Sequence, residues 1–444
     1  MSVNTFVTPS AAQALRYPSI DIARGIIMIV MALDHASVAW NSGRAMPEVV
    51  GLGPVDYGHW TQQVTREITH ICAPGFQLLA GMGLAISVWR RQRAGQSELF
   101  ISADMVLRGL ALLFCDFVLM YYAYDRVPFF FLVLACIGSC TILFAALRKL
   151  PLSLILLFAI AVVFGGPLYA KGHIVAPTAS GYLYNIFVNV ALPTEWPAPP
   201  DQRAFFVLYP ILPWIGCFAL GWFLGTILEL SAHGGGSTTS DSLQREASRA
   251  DNRSLALDVA ARRQGQAAAT RNEPTPPEAP RTSAGVFAWL GPLGIALGVA
   301  AFLMRWFAGA YADPHPLGDG PSSAAFWTLS KYPPSPVFLT ATAGVMLVLL
   351  SLLRRLDQPS LRSRSSVGVS VPWRVPLVFG NVSLFFFVVH MYVYFSYPFV
   401  SGTAKTYSLG TTYVVWLGGL VVTFPLCVGY AKLRRRYRTV LRYF

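Results

Sequence analysis

The chain has 444 residues, 54% of them hydrophobic, 13% aromatic and only 12% charged, with a mean hydropathy of +0.50. A soluble globular domain carries about 25% charged residues, so this composition excludes one. The formal net charge of +13 does not point to nucleic acid, because the basic residues are sorted onto alternate connections between apolar runs, as the positive-inside rule requires.

Those runs are about twenty residues long, enough to cross a hydrocarbon core of about 30 Å as a helix. They lack the two-residue alternation of a transmembrane β-barrel. The expected fold is all-α, a polytopic integral membrane bundle of about ten transmembrane helices. The spans are predicted at 20–40, 68–89, 104–123, 128–147, 151–170, 203–229, 285–308, 335–354, 376–399 and 409–432. With the N-terminus inside, the inner connections collect Arg16; Arg90, Arg91 and Arg93; Arg148 and Lys149; the arginines of 231–284; Arg354, Arg355, Arg362, Arg364 and Arg374; and the basic end from Lys432 to Arg442. The outer segments hold Arg44, Arg66, Arg126, Lys171, Arg203, Arg305, Lys331 and Lys405. Both termini are therefore expected to be cytoplasmic. The first run is long enough to span and reads as a retained helix, not a cleaved signal.

In the first span, Arg24 and His35 are eleven positions apart and nearly in line at 100° per residue. Asp21 lies about 60° from Arg24 and about 40° from His35, and the Arg24–His35 separation along the axis is about 16 Å. Ionisable groups at membrane depth are costly and face a bundle interior or a wet path. Asp21 and Arg24 can also simply pair at the inner end of the helix, where an acid suits the N-terminus. Asp34 and His35, being adjacent, cannot share one face. Asp34 is left to orient a histidine on another helix or to bond a polar partner there.

The outer loop 41–67 carries His59. The second span, "REITHICAPGFQLLAGMG", places His70, Pro74, Gln77 and Gly81 on one face, and Pro74 should loosen the helix around His70. Gly75, Gly81 and Gly83 permit close helix approach or the passage of a thin ligand. His70 reads either as interhelical hydrogen-bond glue or as a functional group. In the third span, Asp104 and Arg108 have i,i+4 spacing and Asp116 is a buried-acid candidate. "GWFLG" at 221–225 matches the GxxxG pattern. The six cysteines (Cys72, Cys115, Cys136, Cys140, Cys217 and Cys427) all fall inside spans and form no zinc-type cluster, so no metal is expected.

Residues 231–284 are rich in Gly, Ser, Ala, Pro and Arg and almost free of aromatics. Such a segment buries too little apolar surface to offset its ordering entropy. It is expected to be a disordered cytoplasmic linker between an N-terminal six-helix part, 1–230, and a C-terminal four-helix part, 285–444. Further outer loops, 171–202 and 309–334, hold His173 and His315 and suit a lid or vestibule. In the ninth span, "FGNVSLFFFVVHMYVYF", Asn381, Ser383 and His390 are polar. His390 reads as a candidate ligand-binding group or as a core histidine bonded to a carbonyl.

No GxGxxG, Walker A, GxSxG or HExxH pattern is present, which leaves acid–base chemistry by imidazole and carboxylate as the simplest catalytic option. The blocks "RYPSIDIARGIIMIVMALDHAS", "REITHICAPGFQLLAG", "LYPILPWIGCFALGWFLG", "SKYPPSPVFL" and "FGNVSLFFFVVHMYVYF" resemble, in order, the bacterial members of the heparan-α-glucosaminide N-acetyltransferase-like family. The Arg24-x10-His35 spacing is similar to the first-helix motif of the wider membrane acyltransferase superfamily.

The resemblance implies a multi-pass enzyme of the bacterial inner membrane. It would take an acyl group from cytoplasmic acetyl-CoA, or another acyl-CoA, and pass it to an amine or hydroxyl, typically on a sugar or glycoconjugate, at the outer face. By the same resemblance His35 and Arg24 match the superfamily's histidine and arginine, His70 belongs to the shared "ITHICAP" block, and His59 approximates the loop histidine of the lysosomal enzyme. The candidate catalytic residues are His35, His70 and Asp34. Those for substrate or acyl-CoA binding are Arg24, Asp21, Gln77, Asn381, His390 and His59. Expected partners are the bilayer, acyl-CoA and a carbohydrate acceptor, with no nucleic acid and with homo-oligomerisation left open. Direct transfer and an acyl-histidine route both remain. A proton-coupled transporter or flippase using the same histidines is the alternative, and a scaffold with polar packing glue is a further one.

Overall fold

The computed structural model describes residues 17–46, 49, 57–123, 129–170, 182–192, 205–232, 284–357, 371–437, 441 and 443. The segment 233–283, which holds nearly all of the expected linker, His173 and most of the loop 355–375 lie outside them.

The chain begins with α1 (Pro18–Trp40), whose first turn carries Pro18 at the position where a missing N–H costs nothing. Next come α2 (Trp60–His70) and α3 (Cys72–Arg93), joined through the single turn residue Ile71. Pro74, which has no N–H to give the carbonyl of His70, accounts for that break. α4 (Glu98–Phe114) starts at Ser97, whose hydroxyl accepts from Phe100 N at 3.3 Å, and runs into a π-turn at Cys115–Leu119. There follow α5 (Val133–Leu147), α6 (Leu152–Ala170) and α7 (Ile211–Ala232). Beyond them lie α8 (Ala284–Phe307), α9 (Pro336–Leu353), α10 (Val371–Asn381), α11 (Ser383–Ser401) and α12 (Leu409–Arg436).

The protein is thus a helical, multi-pass membrane protein. Among the described residues, six helices are long and apolar enough to cross a membrane, or seven when one bent pair is taken as a single span. α4, α5 and the regular part of α6 are shorter, so the length criterion does not reach the predicted ten.

Three predicted boundaries are corrected. The span expected at 376–399 is two helices, α10 and α11, meeting at 97°. Val382 between them leaves the helical region at φ −125°, ψ 39°, and uniform apolarity carries no trace of such a turn. The spans expected at 128–147 and 203–229 open on short strands instead of helix. Phe129–Phe131 pairs in parallel with Phe205–Val207 in the register Phe129↔Phe205, as aromatic runs favour. Asp116 binds beside this strand pair: its Oδ2 accepts from Leu132 N at 3.1 Å and Ala135 N at 3.0 Å. A carboxylate from the π-turn thereby satisfies the N-terminus of α5, a structural role for that candidate.

Two cores form. One surrounds α1, with Ile22, Ile27, Phe379, Phe386 and Tyr394 buried. The other lies among α3, α5, α6 and α7 around Trp214, Phe144 and Phe218. Glycines set the closest crossings. A Cβ on Gly81 would stand 2.0 Å from Phe218 O, and one on Gly221 would stand 2.0 Å from Leu78 O. The "GWFLG" pattern is therefore the contact by which α7 fills the glycine face of α3. Gln77, fully buried there, donates to Cys136 Sγ at 3.1 Å and joins α3 to α5.

The end of the bundle at which α1 begins is tied by ion pairs and hydrogen bonds. Ser19 N and Oγ both donate to Asp357, at 2.9 and 2.5 Å. Asp104 is held by Arg91 Nη1 at 2.5 Å and Tyr443 OH at 2.8 Å, partners that its spacing to Arg108 did not reveal.

The crossing of α1 with α10 makes a direct prediction. A Cβ at Gly25 would lie 1.7 Å from Pro376 O, and one at Gly380 would lie 1.8 Å from Asp21 O. Gly25→Ala must push two backbones apart, for about 1–3 kcal/mol of destabilisation. Thermal unfolding of the purified protein in detergent should show a lowered midpoint, whereas Gly418→Ala, in open space, should leave it unchanged.

Candidate active site

Toward the C-terminal end of α1 the two adjacent polar residues diverge, as a 100° step requires. Asp34 turns toward α2 and the loop that follows α1. Its Oδ1 accepts from Arg44 Nη1 at 2.9 Å, from Thr69 Oγ1 at 3.2 Å and from Arg66 Nη1 in a short contact. Lys331, 1% exposed, stands over the Tyr332 ring at 5.0 Å and adds its field to that of the arginines at Asp34. Of the two roles left open for Asp34, the structure takes the polar partner. Its partners are arginines and a threonine, not a histidine.

His35 turns the other way, toward α11. Its Nδ1 lies 2.7 Å from His390 Nε2, and His390 Nδ1 lies 2.8 Å from Phe386 O, one helical turn back. The two imidazoles stack with centroids 5.0 Å apart, and Phe387 and Phe395 stand edge-on to His35 at 6.1 and 6.2 Å. The carbonyl of Phe386 can only accept, so His390 Nδ1 carries the hydrogen and, in the neutral ring, Nε2 carries the lone pair. His35 Nδ1 must then donate, and the lone pair of His35 falls on Nε2, away from the pair. One backbone carbonyl in this way sets the tautomer of two rings. His390 is fully buried and His35 only partly.

His70 is held at the end of α2 by Glu67, with Nδ1 3.1 Å from Oε2, and stands edge-on to Phe338 at 5.7 Å. Its Nε2 is buried and makes no hydrogen bond among the described residues. The preceding residue, Thr69, bonds Asp34, so His70 adjoins the same cluster, with no hydrogen bond or ring contact to His35 among the described residues. Arg24 and Asp21 pair at 3.0 Å, with Arg24 about 16 Å from His35 toward the N-terminal end of α1. Asn381 is the last residue of α10, at the bend. His59 is an exposed N-cap for α2: its Nδ1 accepts from Thr61 N at 3.3 Å, which accounts for its conformation without a ligand. His315 lies 3.1 Å from Asp313 Oδ1. That carboxyl group also takes Ser330 N at 2.9 Å and Ser335 Oγ at 2.5 Å, so His315 belongs to the frame of its loop.

The structure therefore brings Asp34, His35, His390 and, through Thr69, His70 to one place, and leaves Arg24, Asp21, Gln77 and His59 elsewhere. Sequence reasoning counted Arg44, Arg66 and Lys331 only as markers of orientation. A signal existed for one of them: Arg66, Thr69 and His70 follow i, i+3, i+4 spacing and so share one face of α2.

A family model described as heparan-alpha-glucosaminide N-acetyltransferase, catalytic, matches residues 16–249, a stretch that holds Arg24, Asp34, His35, Arg66 and His70 but neither Lys331 nor His390. No curated protein matches the chain.

Proposed function

We propose, from the premise that this chain belongs to the heparan-alpha-glucosaminide N-acetyltransferase catalytic family, that it is a membrane acyltransferase. In this reading it moves an acetyl group from cytoplasmic acetyl-CoA to an amine or hydroxyl of a sugar or glycoconjugate at the outer face of a bacterial inner membrane. The observation that carries the reading is the histidine pair, in which Phe386 O and His390 leave His35 with an unprotonated Nε2. That atom is suited to act as a general base.

In the step, His35 Nε2 takes the proton of the acceptor N–H or O–H while the acceptor's nitrogen or oxygen bonds to the acyl carbon. The carbon–sulfur bond then breaks, and the same proton passes from His35 to the departing CoA sulfur. No net proton is gained or lost by the protein. His390 stays neutral throughout and positions His35, and Asp34 serves His35 only through the fold of the α1 end. Arg24 and the basic inner ends of the helices are suited to the anionic donor, which approaches from the cytoplasmic side when both termini lie inside.

The test of the reading is acetyl-CoA itself. Purified protein in detergent should be stabilised against heat by acetyl-CoA and should release CoA when an acceptor is supplied. Absence of both, across a series of acyl-CoAs and with a folded sample, would exclude acyl transfer. A second prediction separates positioning from chemistry. His390→Phe removes the acceptor for His35 Nδ1–H in a near-isosteric ring, whereas His390→Gln retains one in its amide oxygen. Acetyl transfer should fall in both and fall less in His390→Gln, with acetyl-CoA stabilisation kept. Equal rates in the two variants would remove His390 from the mechanism.

A further inference from the structure

Arg108 lies on α4, about 15 Å along the helix from its start at Glu98. It is exposed, and its neighbours Leu107 and Leu110 are half exposed. An ionisable side chain among lipid-facing residues is costly and marks a site unless it is paired. Its spacing offers it Asp104, but that carboxylate is held by Arg91 and Tyr443. Arg108 makes no hydrogen bond or ion pair among the described residues.

The exposed Arg108 stands where two helices fail to close on each other. α4 rests mainly on α5, α12 rests on α1, α10 and α11, and a gap is left between α4 and α12. Hydrogen bonds tie its two ends: Tyr443 OH donates to Asp104 Oδ1 at one, and Tyr392 OH to Leu119 O at the other. On α12, Tyr430 and Arg434 have i,i+4 spacing and share a face. The charge of Arg434 falls on Arg108, as do those of Arg24 and Arg91, and Arg434 makes no hydrogen bond among the described residues. A second, independent observation points to the same gap. Tyr430, 9% exposed, stacks on Phe385 with centroids 4.1 Å apart, and its hydroxyl is buried without a hydrogen bond among the described residues. It lies near Arg434 and near Cys115, where α4 passes into the π-turn. A buried donor left unbonded is costly.

We propose that the gap between α4 and α12 binds an anionic phospholipid, its phosphate held by Arg108 and Arg434 with the Tyr430 hydroxyl as a further donor. Guanidinium forks match the free oxygens of a phosphate diester, and basic pockets between membrane helices suit such head groups. A helix tilts its side chains toward its N-terminus, so Arg108 leans back to the end of the bundle where α4 begins. α12 ends there with Arg434, Arg435 and Arg436, at the level of a head group. The opening is sideways, between helices, and Leu107 on α4 and Leu433 on α12 leave half-exposed apolar surface beside the cations for acyl chains. Both features fit a lipid better than a water-soluble phosphate. Arg24 is paired with Asp21 and adds only its field. The site does not rest on the acyltransferase reading.

The experiment titrates the full-length protein in detergent with dioleoyl phosphatidylglycerol or dioleoyl phosphatidylcholine, reading bound lipid by native mass spectrometry, and measures thermal unfolding with each lipid and with acetyl-CoA. Phosphatidylglycerol should bind and raise the midpoint; phosphatidylcholine, whose choline cancels its charge, should not. Arg108→Gln and Arg434→Gln should each weaken phosphatidylglycerol by about tenfold or more, the loss expected for a charge-assisted hydrogen bond. Arg93→Gln removes an exposed charge that stacks over Trp89 after the same end of α3 and should leave lipid binding unchanged. Tyr430→Phe should also weaken the lipid. In its absence the same variant should not lower the midpoint, because the hydroxyl has no hydrogen bond to lose.

Equal binding of the two lipids, or phosphatidylglycerol binding indifferent to both arginine substitutions, would overturn the site. An equal loss in Arg93→Gln would reduce it to diffuse surface charge and overturn it as well. If Arg108→Gln abolished the acetyl-CoA response and left the lipid bound, the arginine would belong to the donor and the lipid assignment would fall. Phosphatidylglycerol binding without any acetyl-CoA response would sink the acyltransferase reading and leave the lipid site standing.

Discussion

His35→Ala should lower acetyl transfer by about 10²–10⁴-fold, the usual contribution of a positioned general base, while the protein still folds and still responds to acetyl-CoA. The size follows from what the substitution removes. His35 carries the lone pair that points away from the histidine pair, and nothing in the arrangement lets His390 take its place. His390 Nδ1 is committed to Phe386 O, and the ring is fully buried among Phe386, Phe387 and Tyr394. The structural cost is smaller. One hydrogen bond is lost, worth about 0.5–1.5 kcal/mol, together with edge contacts to two phenylalanines. Initial rates of CoA release, measured beside thermal unfolding on the same sample, separate the two effects. Unchanged rates would move the base elsewhere, and His70, whose Nε2 is buried without a hydrogen bond among the described residues, is the next imidazole to test.

Asp34→Ala should act in the opposite way, with its main effect on stability. The carboxylate joins Arg44, from the segment after α1, to Arg66 and Thr69 on α2. Removing one partner from a buried ion pair typically costs about 3–5 kcal/mol, because the remaining charge stays buried. Here two guanidinium groups would remain. The expected result is a markedly lower unfolding midpoint, and a larger fall than for Arg44→Gln, which leaves Asp34 its contacts with Arg66 and Thr69. A double substitution, Asp34→Asn with Arg66→Gln, should recover part of the loss, since it removes charge of both signs and keeps hydrogen-bonding groups in place. If Asp34→Ala left the midpoint unchanged, the pairs would be contributing nothing net, as many exposed pairs do.

These two residues also mark how far a linear reading reaches. That Asp34 and His35 face different directions is legible without coordinates, because a helix turns about 100° per residue. Their partners are not. His390 is 355 positions from His35, and Arg66 is 32 from Asp34, and neither separation has a local signature. Arg44, Arg66 and Lys331 read as orientation charges because side-chain type shows that a residue is basic, not that the bundle buries it. The pairing of Asp21 with Arg24 was legible, being local, as was the looseness that Pro74 introduces before α3.

By itself the sequence determined the class of protein, the placement of most helices and the identity of the one histidine on α1. Each of these follows from run length, composition or a fixed helical repeat, which act over a few turns of chain. Only the tertiary structure decided the 97° break between α10 and α11, the closing of the α3 glycine face by α7, and the tautomer of His35 set through His390 and Phe386. Those depend on which backbones approach which, and apolar helices of similar length and composition do not encode their partners in any short stretch of residues.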